Sequence, residues 1–219
     1  MLSAYFFDRD PQVVAKDLLG KVIRVKYKNM WLSAGIIETE AYYIHDKGSH
    51  ASLGFTQKRK ALFMPAGTIY MYYARGGDSL NISCHGEGNA VLIKSGRPYI
   101  DQNSPANMIE IMQKLNPLPG GRLRDPCKLC SGQTLLCKSL GLKVPQWDTK
   151  TFDPDRFYFE DVGYKPKSII QTKRLGIPIG RDEHLMYRFI DHDEALHCTL
   201  PPYGKKGFKK SLEYTLHSL

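Results

Sequence analysis

Apolar residues recur along this chain in two rhythms, and each change of rhythm marks a new element. After Asp10-Pro11, residues Val13, Val14, Ala15, Leu18 and Leu19 fall at helical spacing, with Pro at the first position and Gly20 as a stop. Residues 21–26 then alternate, with Val22, Ile23 and Val25 set among basic residues, and a second extended run covers 31–43. A turn at Lys28-Asn29 makes these two an antiparallel hairpin. Residues 46–59 are polar and rich in Gly, Ser and His, which predicts a loop. Strands are predicted at 67–73 and 79–83 around Gly76-Gly77, and at 90–95 after the turn Gly86-Glu87-Gly88-Asn89. Helical patterns cover 107–115 and 129–140, and short late strands cover 157–159, 168–172 and 185–190. Strands dominate the first half and helices surround them. The expected class is α+β: a single domain with a curved, mainly antiparallel sheet surrounded by helices and loops. That domain is expected over residues 1–200, with 201–219 a basic tail (Lys205, Lys206, Lys209, Lys210) expected to be disordered.

Composition changes this picture in one respect. The 219 residues, 42% of them hydrophobic, suffice for one domain with its own core. Charge is the outlier: 31 Lys plus Arg against 22 Asp plus Glu give a net charge of +9. Such a surface suits a phosphate-rich partner, because each neutralised phosphate releases condensed counterions. Composition alone leaves a merely basic, solvated surface equally open. No apolar run is long enough to span a bilayer, and the first eight residues lack a secretory pattern, so no membrane association is expected. Five cysteines, an odd number, point to a reducing, cytoplasmic setting. The spacing Cys127-x-x-Cys130, followed by Cys137, invites a zinc reading, but a structural site usually shows two such pairs. Cys130 and Cys137 are read instead as buried thiols on the 129–140 helix, with no metal.

Candidate chemistry concentrates in Ile36-Ile37-Glu38-Thr39-Glu40-Ala41-Tyr42. On a strand Glu38, Glu40 and Tyr42 share one face. Two carboxylates in an apolar strand are costly if buried. From the segment alone, the cheaper reading is the solvated face of an edge strand. The other is catalysis. Tyr42, Tyr43, Tyr70, Tyr72 and Tyr73 cluster around it, and with His50 they can line a cavity of aromatic faces of the kind that receives an extruded base. Tyr43 and Tyr70 are read as ordinary strand tyrosines.

A string of motifs in fixed order narrows the choice. Phe6-Phe7 and Val14-Ala15-Lys16-Asp17-Leu18-Leu19-Gly20-Lys21 come first, then Ile37-Glu38-Thr39-Glu40-Ala41-Tyr42 and Ser49-His50. Met64-Pro65-Ala66-Gly67-Thr68-Ile69-Tyr70-Met71-Tyr72, Leu80-Asn81-Ile82, Ala90-Val91-Leu92-Ile93-Lys94 and Leu129-Cys130-Ser131-Gly132 follow, with weaker matches at Arg174-Leu175-Gly176-Ile177 and Arg188-Phe189. By these motifs, over roughly residues 5–190, the chain resembles the alkyladenine, or 3-methyladenine, DNA glycosylases of humans and many bacteria. The resemblance implies excision of alkylated or deaminated purines from double-stranded DNA, by base flipping and hydrolysis, in base excision repair. It implies Glu40 as the general base that activates water toward C1′ of the flipped nucleotide. Tyr42 and Tyr72 become the walls that stack on the base, and His50 a hydrogen-bonding partner of the nucleotide. Asn81 meets the base edge, and Leu92 lies at the pocket. No cofactor is implied, no lysine falls at a Schiff-base position, and the enzyme is expected to be a monomer leaving an abasic site. The chain departs from the family pattern at three places. Arg75, with Tyr73 as the other candidate, stands where a wedging tyrosine is usual; Lys94 replaces an arginine; and Gly132-Gln133-Thr134-Leu135 lacks the usual proline and lysine. Two alternatives are a lesion-recognition module of the same fold without catalysis, and an unrelated hydrolase or transferase using Glu38 and Glu40 on a small molecule.

Overall fold

A computed structural model describes residues 1–202 and 214–218. The chain opens with α1 (Ala4–Phe7) and α2 (Pro11–Asp17), then β1 (Val22–Tyr27) and β2 (Met30–Tyr42). β3 (Ile69–Ala74), β4 (Gly77–Ser83) and β5 (Ala90–Pro98) follow, then helices α3 (Met108–Leu115), α4 (Gln133–Leu140) and α5 (Val144–Trp147). Four short strands complete it: β6 (Phe157–Glu160), β7 (Ser168–Thr172), β8 (Arg188–Asp191) and β9 (Tyr214–Ser218).

Local chemistry accounts for the first elements. The Asp10 carboxylate accepts from the N–H groups of Gln12 and Val13, satisfying two donors that an α-helix leaves open at its start, and Pro11 needs none. Gly20 then takes a left-handed conformation (φ +82°) where a Cβ would lie 2.3 Å from the Tyr164 ring, so both backbone and space demand glycine. Lys28 and Asn29 both have positive φ (46° and 64°). This is the primed turn whose twist matches a two-stranded hairpin, and β1 and β2 pair in register through it.

All strand pairings are antiparallel, in the order β3-β4-β5-β2-β8-β7-β9. β2 is long enough to serve two neighbours on one side: its first half pairs with β1, and residues 38–40 pair with β8. β5 covers its other side. The architecture is therefore α+β in one sheet. One face of the sheet carries Ile69, Met71, Leu80, Ile82, Val91, Ile93 and Ala41, packed into the main core with Val14, Ala15, Leu18, Leu136 and Leu140 from the helices. Alternation leaves the opposite face to Tyr70, Tyr72, Asn81, Leu92, Glu40 and Tyr42.

Three expectations need correction. The 129–140 helix begins only at Gln133, because Gly132 (φ +129°) breaks it, and Cys130 sits in the preceding turn. The predicted 185–190 strand is shorter and shifted, starting at Arg188. Residues 214–218, assigned to a disordered tail, form β9 paired along β7. Lys205, Lys206, Lys209 and Lys210 lie outside the described residues. Among the described residues no helix is long and apolar enough to cross a membrane.

Candidate active site

Register builds the site from distant stretches of sequence. Tyr70 pairs with Asn81, Asn81 with Leu92, Leu92 with Glu40, and Glu40 with Arg188. Residues that pair across strands point to the same face, so five side chains from five strands stand in one row. Tyr72 and Tyr42 lie two residues on from Tyr70 and Glu40 and repeat the same face. β5 carries one irregularity beside the row: Glu38 pairs with Ser95 and Thr39 with Ile93, so Lys94 has no register partner on β2. That bulge turns Lys94 toward Glu40, with Nζ 3.3 Å from Oε1.

Tyr70, Asn81 and Leu92 of this row form the floor of a cavity of about 470 Å³, within the size range of small-molecule sites. Tyr42, His50, Tyr72, Asn81, Leu92 and Lys94 all line it. Tyr70, read from sequence as an ordinary strand tyrosine, lines it too: its hydroxyl lies 2.9 Å from His50 Nδ1, and its ring stacks at 5.5 Å on Tyr72. His50 meets Tyr72 edge-on at 4.5 Å. Burial, with the Arg59 and Arg181 guanidiniums, holds the His50 imidazole below its usual range, so the ring is neutral at physiological pH.

Glu40 lies beneath this floor and is fully buried. Its Oε2 accepts from the Tyr42 hydroxyl at 2.7 Å, and its Oε1 accepts from the Leu175 N–H at 3.1 Å. Burial pushes its carboxyl up, but Lys94, the Tyr42 hydroxyl, the Leu175 N–H and Arg188 outweigh it and hold the group below the ordinary range. Glu40 is thus a carboxylate throughout the neutral range, despite its burial. The same arrangement raises Tyr42, first through burial and then through the adjacent Glu40 carboxylate, so its hydroxyl stays a donor.

Glu38 takes a different set of partners. Arg188 Nε donates to it at 2.6 Å, Thr199 donates from its N–H and hydroxyl at 2.9 and 3.0 Å, and Ser95 donates to the same oxygen as Thr199. None of these lines the cavity, whereas Tyr42, Lys94 and Leu175, the partners of Glu40, all do. The solvated-edge reading of the Glu38/Glu40 strand fails, since β2 runs between β5 and β8 and both carboxylates are fully buried.

The far wall is Leu175, Gly176, Ile177 and Pro178. Its anchor is Arg174, which grips Asp46 with two hydrogen bonds and holds its guanidinium 4.5 Å over the Tyr42 ring. Sequence reasoning caught this segment only as a weak motif, and it missed Gln133, which lines the cavity and donates to the Tyr72 hydroxyl at 3.4 Å.

A family profile described as "Methylpurine-DNA glycosylase (MPG)" matches residues 5–195. The chain belongs to the methylpurine-DNA glycosylase family. Relatives named "Putative 3-methyladenine DNA glycosylase" include one from Pseudomonas syringae pv. tomato, 64% identical over 97% of this chain and 95% of its own. One from Pseudomonas aeruginosa is 62% identical over 96% of this chain and 88% of its own. An archaeal one, from Methanoculleus marisnigri, is 30% identical over 85% and 93%. DNA glycosylases are thus the class of protein to which this chain is similar over nearly its whole length.

Both candidates for the wedge now have positions. Arg75 sits in the β3–β4 turn beside Gly76 (φ +89°), exposed at the tip of the hairpin that carries Tyr72. Tyr73 alternates to the other face of β3 from Tyr72 and is exposed there. Cys130 and Cys137 are fully buried, and burial pushes the Cys130 thiol up to about 12. Among the described residues no three His, Cys, Asp or Glu side chains are grouped to hold a metal ion.

Proposed function

We propose that this chain is a monofunctional glycosylase that removes alkylated or deaminated purines from double-stranded DNA. The observation that carries this reading is Glu40: a buried carboxylate, kept charged by Lys94 and Tyr42, directly beneath an aromatic cavity. In the proposed reaction an extruded purine enters between Tyr42 and Tyr72. Poor pairing of the lesion lowers the cost of extrusion, and electron-rich rings favour bases made cationic by alkylation.

Glu40 then meets C1′ of the sugar. Its low proton affinity makes it a modest base but a strong electrostatic partner for the cationic sugar that develops as the bond to the purine breaks. It aims a water at C1′ and takes that water's proton late, once the water has begun to bond to carbon. Lys94 keeps the carboxylate charged but lacks the fork that an arginine offers a phosphate. His50, neutral, acts through hydrogen bonding to the nucleotide. Asn81, whose amide donates to the Tyr70 carbonyl at 3.3 Å, is held against the base edge, and Leu92 fills the floor. Arg75, exposed at the hairpin tip, contacts the duplex beside the extruded nucleotide, and a monomer provides every group named.

The test uses the purified protein and a Glu40→Gln variant on duplexes containing hypoxanthine or ethenoadenine and on methylated DNA, with alkali to cleave abasic sites. Strand breaks from the parent and none from the variant are expected. Breaks that persist in the variant remove Glu40 from the mechanism. Lesion binding without breaks in either protein leaves a recognition module.

A further inference from the structure

The cavity wall ends in a side chain that the cavity does not use. Pro178 and Arg181 both line the pocket, and the Arg181 N–H donates to the Pro178 carbonyl at 3.1 Å, closing a four-residue turn. Gly180 takes its third position with φ +81°, as a type II turn requires. The second position, at the apex, is Ile179. At 93% exposure it is the most exposed large apolar side chain among the described residues. The turn is tied down at its foot: Gly180 N–H donates to Glu183 at 2.9 Å, Arg181 Nε to the Lys47 carbonyl at 2.8 Å, and Lys47 N–H to Asp182 at 2.9 Å.

A lone exposed isoleucine is ordinary on a protein surface. This one stands at the tip of a cross-tied turn between two pocket-lining residues, with the cationic Arg181 and Lys47 at its base. Folding gains nothing from holding it in water. The hairpin tip, for its part, offers only the polar Arg75, and Tyr73 faces away from the pocket side. An extruded nucleotide leaves a gap in the base stack, and apolar side chains such as isoleucine fill gaps of that kind.

We propose that Ile179 is the apolar wedge of this protein, entering the duplex where the nucleotide has left it. The inference rests on the glycosylase reading above. Its test compares Ile179→Ala and Ile179→Leu with the parent, using hypoxanthine in a duplex and in the same strand alone. Ile179→Ala is expected to slow excision from the duplex about ten- to hundredfold, the loss that follows from no longer burying the isoleucine side chain. On the single strand, which has no stack to fill, the loss should be at least about fivefold smaller, and Ile179→Leu should recover most of the duplex rate. In a Glu40→Gln background, 2-aminopurine placed next to the lesion should brighten on binding, and brighten much less once Ile179→Ala is added. Parental duplex rates in Ile179→Ala, or equal losses on both substrates, overturn the wedge. The fluorescence arm needs no bond cleavage, so it decides the wedge even if the parent excises nothing and the glycosylase reading fails.

Discussion

Replacing Glu38 with Gln removes one charge from a place that water does not reach. Glu38 is fully buried and Arg188 is 2% exposed, and the two meet at 2.6 Å. The carboxylate accepts from Arg188 on one oxygen, and from Ser95 and from both donors of Thr199 on the other. An amide can keep only one of those oxygens. Its NH2 group must then face either the guanidinium or the Thr199 N–H, donor against donor. Arg188 keeps hydrogen bonds to the Leu200 carbonyl at 2.8 Å and to Cys198 Sγ at 3.5 Å, but loses its ion-pair partner, and the nearby Glu40 carboxylate is already paired with Lys94. Removing one partner of a buried ion pair costs about 3–5 kcal/mol, because the other charge stays buried without compensation. For a chain of this size that lowers the melting temperature by roughly 6–20 °C. The assay is calorimetry, or urea unfolding followed by circular dichroism, on Glu38→Gln, Arg188→Met and the double variant. The double should lose less than the sum of the singles, by at least about 2 kcal/mol, because it leaves no orphaned charge. A Glu38→Gln protein within about 1 kcal/mol of the parent, or additive singles, would refute the reasoning.

Two further predictions follow from the site and the thiols. Lys94 is the largest influence opposing the upward push of burial on Glu40. Lys94→Met should therefore move the acid limb of the excision pH profile to higher pH, with Lys94→Arg holding it; an unmoved limb in Lys94→Met sinks the assignment. The stability sign agrees: a carboxyl held low in the fold contributes stability above its ordinary range, and that stability is lost as pH falls through the folded value. Lys94→Met should lose it at a higher pH than the parent. As for the thiols, Cys84, Cys130, Cys137 and Cys198 are buried, and burial raises all four, Cys130 and Cys198 to about 12. In the native protein only Cys127 should react promptly with a disulfide reagent; prompt reaction of a second thiol would contradict the burial.

Local chemistry was readable and long-range register was not. Asp10-Pro11 and Lys28-Asn29 announced a helix start and a hairpin because capping and primed turns are decided within a few residues. Gly132 marks the opposite case. The apolar pattern 129–140 ran through a glycine whose backbone ends the helix, and periodicity does not record backbone angles. Tyr70 was recoverable, since it stands two residues from Tyr72 on one strand and had to share its face. The wall at 175–178 has no period to read, and its anchor is a pair, Arg174 and Asp46, 128 residues apart. Of the row Tyr70, Asn81, Leu92, Glu40, Arg188, only Asn81, Leu92 and Glu40 were assigned to the site, through the family's ordered motifs, because nothing in each short segment fixes its register against the others.

The two glutamates show where pattern stops and environment begins. Alternation puts Glu38 and Glu40 on one face and gives no reason to prefer either as the reacting group. Two facts separate them, and both come from residues far along the chain. Arg188 and Thr199, 150 and 161 residues on, join Ser95 in closing Glu38 inside protein and saturating both its oxygens. The bulge at Lys94 and the backbone of Leu175 hold Glu40 instead, and both belong to the cavity wall. A carboxylate whose every partner is buried away from the cavity can only hold the sheet together. Glu40, whose hydrogen-bond and ion-pair partners Tyr42, Leu175 and Lys94 all line the cavity, is the one the proposed reaction uses. Glu38 and its partners thus form a closed unit within the sheet, and the proposed reaction draws on Glu40 alone.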